Sequence, residues 1–461
     1  LEHLLRTTGA SVLVTRARHG GRDMREVVAR LRTAGVGLGR HWVIEGELAE
    51  RDSIEVEVEV EVEGTAPDPS RDPDERRLGP DEVFFVNSTS GTTGLPKCVI
   101  HDQRRWMSFH ELAVGAGELT PDDVFMSLLP APFGFGLWTA HFTPTLLGAP
   151  VVRMARFAAD EALALIERCR VSVLAAVSTQ FILMLESQAM DERDLSSLRV
   201  LFTGGEAVPY ERAAAFEERT GAAVLQFYGS NETGAVSGTT LADSRERRLR
   251  TAGRVIPEMN VRLFDGQGRD VTHTGRGQPG CKGPTLSRGY WGDEAANREL
   301  VRPDGWMLLG DIVEIDAQGY LQVVGRTDDF IIRGGKNISA LAVEEQVATH
   351  PAVALAAAVA MPDAIFGERV CVYVELRPGG ALDLLALVRH LETRDVSKEY
   401  LPERLVVVDE LPRGSGGKVA KGRLREDIRQ RLALEGGSSD PPSIVSPGDR
   451  RAARAEGGTS R

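Results

Sequence analysis

Hydrophobic and polar positions along this chain follow two rhythms. Ala10 to Thr15 (ASVLVT) is an apolar run of strand length, Asp23 to Leu31 has helical spacing, and Trp42-Val43-Ile44 reads as a second strand. Glu55 to Glu63 then alternates Glu and Val without a break. Period two suits a strand with one acidic face, but like charges on that face repel, so the stretch is expected to be a solvated edge strand or a disordered insert. A linker rich in Pro and Asp, Gly64 to Asp81, marks a boundary. From Val83 to Gly325, short apolar runs such as Val83–Val86, Val171–Val177, Val200–Thr203 and Ala223–Phe227 alternate with helical stretches. After Gly325 the pattern changes. Leu341 to Ala348 and Leu382 to Leu391 look helical, while Val353 to Ala360 and Val370 to Leu376 look like strands, which makes a small unit ending near Leu432. The tail from Gly436, rich in Ser, Pro, Gly and Arg, is expected to be disordered.

These elements predict the α/β class: a large layered α/β amino-terminal domain and a small α+β carboxy-terminal domain. The boundaries drawn are 1–82 for a partial amino-terminal subdomain and linker, 83–328 for the core of the large domain, 329–432 for the small domain and 433–461 for the tail. The length of 461 residues suits this division. A net charge of −12 argues against a general nucleic-acid binder, which needs a basic face. No apolar run reaches the roughly 18 residues of a membrane span, and Leu1 to Arg6 has no apolar signal core. Cys98, Cys169, Cys281 and Cys371 share no CxxC or zinc-like spacing and read as buried thiols in a cytoplasmic protein.

Candidate chemistry concentrates first in Asn87-Ser88-Thr89-Ser90-Gly91-Thr92-Thr93-Gly94-Leu95-Pro96-Lys97, directly after the apolar strand Val83 to Val86. Glycines let backbone N–H groups approach a polyphosphate, hydroxyls donate to its oxygens, and a lysine supplies charge. A Walker A loop would need Gly before the lysine and Ser or Thr after it; Pro96 and Cys98 stand there instead. Gly204-Gly205-Glu206-Ala207 and Tyr228-Gly229-Ser230-Asn231-Glu232-Thr233 each end an apolar strand, where ligands of open α/β sheets bind. An aromatic there can stack on a base, and a carboxylate can hold a magnesium ion on phosphate oxygens. Gly275 to Gly280 matches GxGxxG but contains Pro279 and opens no helix, so it is not a dinucleotide loop.

The Thr89 to Lys97 string resembles the AMP-binding motif of the adenylate-forming superfamily of acyl-CoA synthetases, peptide-synthetase adenylation domains and luciferases. The resemblance continues in order to about residue 432, on the acyl-CoA ligase branch. Relatives carry a longer stretch ahead of Leu4 to Val14, so the large domain is expected to lack its first part. The resemblance implies ATP or AMP binding by Thr89, Ser90, Gly91, Thr92, Thr93, Gly94, Lys97, Gly205, Glu206, Tyr228, Gly229, Ser230, Asn231, Asp311 and Arg326. Within that set Tyr228 would stack on adenine, Glu232 would contact Mg²⁺, and Asp311, from Gly305-Trp306-Met307-Leu308-Leu309-Gly310-Asp311, would accept from the ribose hydroxyls. Asn231 and Leu309 stand where the family usually has Thr. Asp329, in Gly325-Arg326-Thr327-Asp328-Asp329, would be the hinge of the small domain, and Gly334 and Gly335 would lie near the CoA pantetheine. The family motif Pro-Arg-x-x-x-Gly-Lys is matched by Pro412 to Lys418, which makes Lys418 the catalytic cation alongside Glu232 and Thr93. Phe133, Gly134 and Gly204 would line the acyl pocket, with no Asp there to pair with an α-ammonium.

The implied reaction is ATP- and Mg²⁺-dependent activation of a small-molecule carboxylic acid to an acyl-adenylate, followed by transfer to the thiol of coenzyme A. Two alternatives stand beside it: loading of a phosphopantetheinyl acyl carrier protein, and a truncated nucleotide-binding relative without turnover.

Overall fold

The computed structural model describes residues 1–19, 21–45, 59–62, 77–89, 96–129, 134–154, 156–205, 208–327, 329–334, 336–414 and 419–436. Val173–Ala175 and Val200–Gly204 are buried along their whole length. That is why they read as unbroken apolar runs: a parallel strand covered on both faces has no wet side. They lie inside a seven-stranded sheet ordered Arg254–Val255, Gly234–Gly238, Ala223–Ser230, Val200–Gly204, Val173–Ala175, Phe125–Ser127, Val151–Val152. The last five are mutually parallel, and the direction reverses between Ala223–Ser230 and Gly234–Gly238.

Strand alternation divides the core in two. Met126, Leu174, Leu201 and Val224 face the helices Ala159–Cys169, Ser178–Leu185 and Tyr210–Thr220. Phe125, Val173, Val200, Phe202 and Leu225 pack with Trp106, Phe109 and Ala113 of the helix Gln103–Gly117. That second face also receives Leu263, Cys281, Val313 and Leu321 from an antiparallel sheet built of Asn260–Phe264, Arg276–Lys282, Asp311–Ile315 and Leu321–Arg326, with Met307–Leu308 beside it. The GxGxxG match lies mostly within Arg276–Lys282, a strand, in keeping with its exclusion as a dinucleotide loop.

Near the amino terminus, Val12–Arg16 and Arg40–Glu45 pair in parallel around the helix Met24–Thr33, which Asp23 caps by accepting from the Arg25 N–H at 2.8 Å. The Glu-Val repeat supplies the edge strand of this sheet, Glu59–Val62, antiparallel to Arg40–Glu45. The rest of the repeat lies outside the described residues.

The small unit is a five-stranded sheet with Gly367–Leu376 between Phe330–Arg333 and Val353–Asp363, and Arg404–Val408 joined to it in parallel. Helices Ala340–Val347, Leu384–Thr393 and Lys421–Gly436 accompany it. The last helix runs beyond the end expected at Leu432. Ala433, Leu434 and Glu435 favour helix, and Glu435 accepts from Arg404 at 2.8 Å. Residues 437–461 lie outside the described residues. Arg212 of the large unit donates to the Val353 carbonyl at 2.9 Å, and Glu186 pairs with both Arg212 and Arg377, at 2.8 and 3.2 Å. No helix among the described residues is long and apolar enough to cross a membrane. Cys98, Cys281 and Cys371 are buried and Cys169 is half-buried; burial pushes the Cys281 and Cys371 thiols up to about 12.

Candidate active site

The phosphate-loop string is the connection of a β-hairpin. Val83–Ser88 pairs antiparallel with Cys98–Asp102, and the loop is closed at its base by Thr89, whose N–H donates to the Lys97 carbonyl at 2.9 Å and whose hydroxyl accepts from the Lys97 N–H at 3.3 Å. Ser90, Gly91, Thr92, Thr93 and Gly94 lie outside the described residues, as do Phe133, Glu206, Gly335 and Lys418.

Opposite this hairpin is the corner where the seven-stranded sheet reverses direction. The Ser230 hydroxyl accepts from the N–H groups of Glu232 and Thr233 at 3.2 and 3.1 Å, and the Ser230 N–H donates to the Thr233 hydroxyl at 2.9 Å. These bonds close the turn that presents Asn231 and Glu232. Tyr290 joins the corner to the hairpin: its hydroxyl donates to Glu232 Oε1 at 2.7 Å, and Lys97 Nζ lies 4.9 Å from its ring centroid. Burial and the Glu232 charge keep the Tyr290 hydroxyl protonated by pushing its pKa far up. Asn87, at the end of the first hairpin strand, makes a reciprocal amide pair with Asn231, at 3.1 and 2.7 Å.

Asp311, Arg326 and Tyr228 form a second group. Asp311 and Arg326 are directly opposed across two antiparallel strands. The buried Tyr228 donates its hydroxyl to Asp311 Oδ2 at 2.8 Å; burial first, and then Asp311, raise its pKa well above the usual phenol value. Leu309, where the family has Thr, is buried and donates its N–H to the Pro279 carbonyl at 3.0 Å.

On the acyl side, Gly134 passes so close to the corner that an added Cβ would sit 2.6 Å from Asn231 Oδ1. Beside it Leu129, Ala175, Val177 and Phe135 form a small apolar cluster. Gly204 is paired with Phe227, where a Cβ would sit 2.3 Å from the Phe227 carbonyl oxygen. Gly205 follows it in the left-handed region at φ 78°.

Asp329 and Gly334 belong to the small sheet's side of the chain. Asp329 accepts from Lys421 at 3.2 Å and from Arg425; Lys421 also pairs with the half-buried Glu344 at 2.8 Å. Although burial opposes it, these two cations hold the Asp329 carboxyl below the usual carboxylate range. Gly334 lines a cleft of about 510 Å³ with Arg333, Lys336, Phe366, Lys398 and Glu399. Ser339 caps the helix Ala340–Val347, its hydroxyl accepting from the Ala342 N–H at 3.2 Å.

His101, Arg105 and Tyr290 are not marked by any motif of the sequence, and Asn87 is marked there only as the first residue of the loop string. The readable signal was Arg105: it precedes Phe109 by one helical turn and so sits on the apolar face of the helix Gln103–Gly117. His101 accepts from Arg105 at Nδ1, which leaves Nε2 to donate to Asn87 Oδ1 at 2.8 Å. Burial, with Arg105 adding to it, pulls His101 from 6.5 down to about 2. Its folded pKa is therefore below its unfolded value. The stability this contributes is complete above the unfolded pKa and falls as pH drops from 6.5 towards 2, because the unfolded chain binds the proton first. His101→Asn is expected to flatten the dependence of urea unfolding free energy on pH by about 1.4 kcal/mol per pH unit between pH ~6 and ~4. Parallel slopes for the variant and the parent would refute a neutral buried His101.

Among the described residues no group of three His, Cys, Asp or Glu could hold a metal. The half-exposed Glu232 carboxylate is a single hard oxygen ligand, and it fits a magnesium ion that takes its other ligands from phosphates and water.

An Asn-Glu corner at the reversing edge of a mostly parallel sheet, tied to the Val83–Ser88 hairpin through Asn87 and Tyr290, with an Asp–Arg pair at a Tyr hydroxyl, brings the motifs of the adenylate-forming class into one region. The chain belongs to the AMP-binding enzymes: the family model described as AMP-binding enzyme matches residues 1–291, and that of the AMP-binding enzyme C-terminal domain matches residues 342–418. Among curated relatives it is 33% identical over 358 residues to the medium-chain fatty-acid–CoA ligase of Escherichia coli K12, covering 77% of this chain and 63% of that protein. It is also 33% identical over 366 residues to the indoleacetate–CoA ligase of Aromatoleum aromaticum, covering 79% of this chain and 71% of that one. The structure of o-succinylbenzoate CoA synthetase from Bacillus subtilis, in complex with its acyl-adenylate intermediate, superposes with a TM-score of 0.69 at 26% identity, covering 92% of this chain and 80% of that one. The chain thus spans less than two thirds of the length of the E. coli ligase.

Proposed function

We propose that this protein is an AMP-forming acid–thiol ligase. A carboxylate does not acylate a thiol directly, because oxide is a poor leaving group. Its oxygen attacks the α-phosphorus of ATP, the bond from that phosphorus to the bridging oxygen breaks, and pyrophosphate departs with the electron pair. The thiolate of coenzyme A then attacks the acyl carbon, and AMP leaves.

In this reading the Thr89–Lys97 hairpin loop receives the β- and γ-phosphates, and Lys97 adds positive charge beside them. Tyr228, Asp311 and Arg326 hold the nucleoside, with the Asp311 carboxylate accepting from the ribose hydroxyls. Magnesium, when bound through Glu232, would neutralise phosphate charge as pyrophosphate forms. Lys418 brings a cation to the reacting carboxylate and α-phosphate. The cluster of Leu129, Phe135, Ala175 and Val177 beside Gly134 suits an apolar acid, of the aryl or medium-chain type. The names of the relatives, a medium-chain fatty-acid–CoA ligase and an indoleacetate–CoA ligase, support that class. Between the two half-reactions the small unit turns about Asp329 and brings the Gly334–Gly335 segment to the thiol.

The observation that carries this reading is the meeting of the hairpin and the Asn231–Glu232 corner through Tyr290 and Asn87. Pyrophosphate release with ATP, Mg²⁺ and a panel of carboxylic acids, with and without CoA, is expected to rise with an apolar acid and to yield acyl-CoA. Adenylate formation without acyl-CoA would give the acceptor role to a carrier protein. No acid-dependent release from a protein that binds ATP would sink the ligase reading.

A further inference from the structure

Arg105 is almost fully buried, and among the described residues no carboxylate lies within ion-pairing distance of it. Burying a guanidinium without a counter-ion is costly unless its donors are all used. Here they are directed at one place. Nε donates to the Thr285 carbonyl at 2.5 Å, and one terminal nitrogen donates to the carbonyls of both Asn231 and Glu232, at 2.7 and 3.1 Å. The other terminal nitrogen donates to His101 Nδ1 at 2.5 Å. From His101 the bonds continue through Nε2 to Asn87, and from Asn87 to the side-chain amide of Asn231. The path closes on itself: Arg105 grips Asn231 directly at its backbone and, through His101 and Asn87, at its side chain.

We propose, resting on the ligase reading above, that Arg105 is a positioning residue for the metal–polyphosphate half of the site, holding the Asn231–Glu232 corner in the register that MgATP requires. Tyr290 fixes the Glu232 carboxylate from the front, and Arg105 fixes its peptide from behind. Burial draws the guanidinium down to about 9, with Glu232 and Asp102 offsetting part of the effect, so it stays charged at neutral pH. A fork of fixed donors spans two successive carbonyls and an imidazole; a lysine ammonium in the same place would keep the charge and lose that geometry.

The test compares calorimetric binding of MgATP and of AMP, without acid, to the full chain and to Arg105→Lys and Asn87→Ala. AMP lacks the β- and γ-phosphates and does not call on Glu232. Arg105→Lys is expected to weaken MgATP binding about tenfold, which is 1.4 kcal/mol, and to leave AMP binding within twofold. Asn87→Ala opens the same ring without touching the buried charge and is expected to act in the same direction, more weakly. Combining the two should cost less than the sum of the single effects. Should Arg105→Lys not fold, Asn87→Ala carries the test alone. Equal weakening of MgATP and AMP would overturn the proposal in favour of general loosening, and unchanged MgATP binding would overturn it outright. A parent protein that binds neither nucleotide would instead refute the ligase reading itself.

Discussion

Replacing Lys418 with alanine is expected to lower acid-dependent pyrophosphate release by about 10²–10³-fold, the usual cost of losing one donor to developing charge. MgATP affinity should change far less, because in the proposed reading the nucleotide is held by the hairpin, the corner and the Asp311–Arg326 pair. The described residues on either side of Lys418 are tied to each other and to the small sheet. Arg413 and Val419 pair across a single bridge, the Ala420 N–H donates to the Pro412 carbonyl at 2.6 Å, and Arg413 lies 3.4 Å from Glu375. The residues flanking Lys418 are therefore held together from both sides. Immediately after them Lys421 opens a helix and reaches both Asp329 and Glu344. A rate within threefold of the parent would remove Lys418 from the adenylation step.

The second large effect is structural. At Gly229, between the buried Tyr228 and the Ser230 turn, an added Cβ would sit 1.7 Å from the Gly234 carbonyl oxygen and 2.8 Å from its carbon. The obstacle is backbone, so no side-chain rearrangement relieves it, and the two antiparallel strands must separate. Gly229→Ala is expected to destabilise the protein by on the order of 3 kcal/mol and to abolish MgATP binding, read as a shifted urea midpoint and a flat calorimetric trace. Gly115→Ala is the control: it lies in the helix Gln103–Gly117, a Cβ there meets nothing within 4 Å, and stability should hold or rise slightly. An unshifted midpoint for Gly229→Ala would mean that the corner is built differently.

Much of the fold was readable because it is written locally. The strands Val173–Ala175 and Val200–Gly204 are apolar without interruption, the hairpin before Lys97 follows an apolar strand, and Tyr228 through Glu232 lie together as one string. The bonds that hold the corner are not local. Asn87 and Asn231 are 144 residues apart, and Arg105 and Thr285 are 180 apart. No periodicity announces such pairs; the trace left in the sequence is an arginine on an apolar helix face. The expected end at Leu432 failed for a related reason: the turn that follows carries good helix formers and is held by Arg404, a partner from a distant strand. Asp329 was legible as a motif position, but its clamp by Lys421 and Arg425 required the last helix to be folded back on it.

The close passage of Gly134 to Asn231 has a consequence for how such a protein can diversify. On one side of that contact lie Gly204 and Gly229, where an added Cβ would meet the carbonyl oxygen of Phe227 or of Gly234. On the other side are Leu129, Phe135, Ala175 and Val177, whose side chains can trade volume with one another. On the proposed ligase reading, change in the acid accepted is therefore cheap to inherit, while change in the activating nucleotide is nearly closed. A lineage with this architecture should spread across many carboxylic acids and keep one way of activating them.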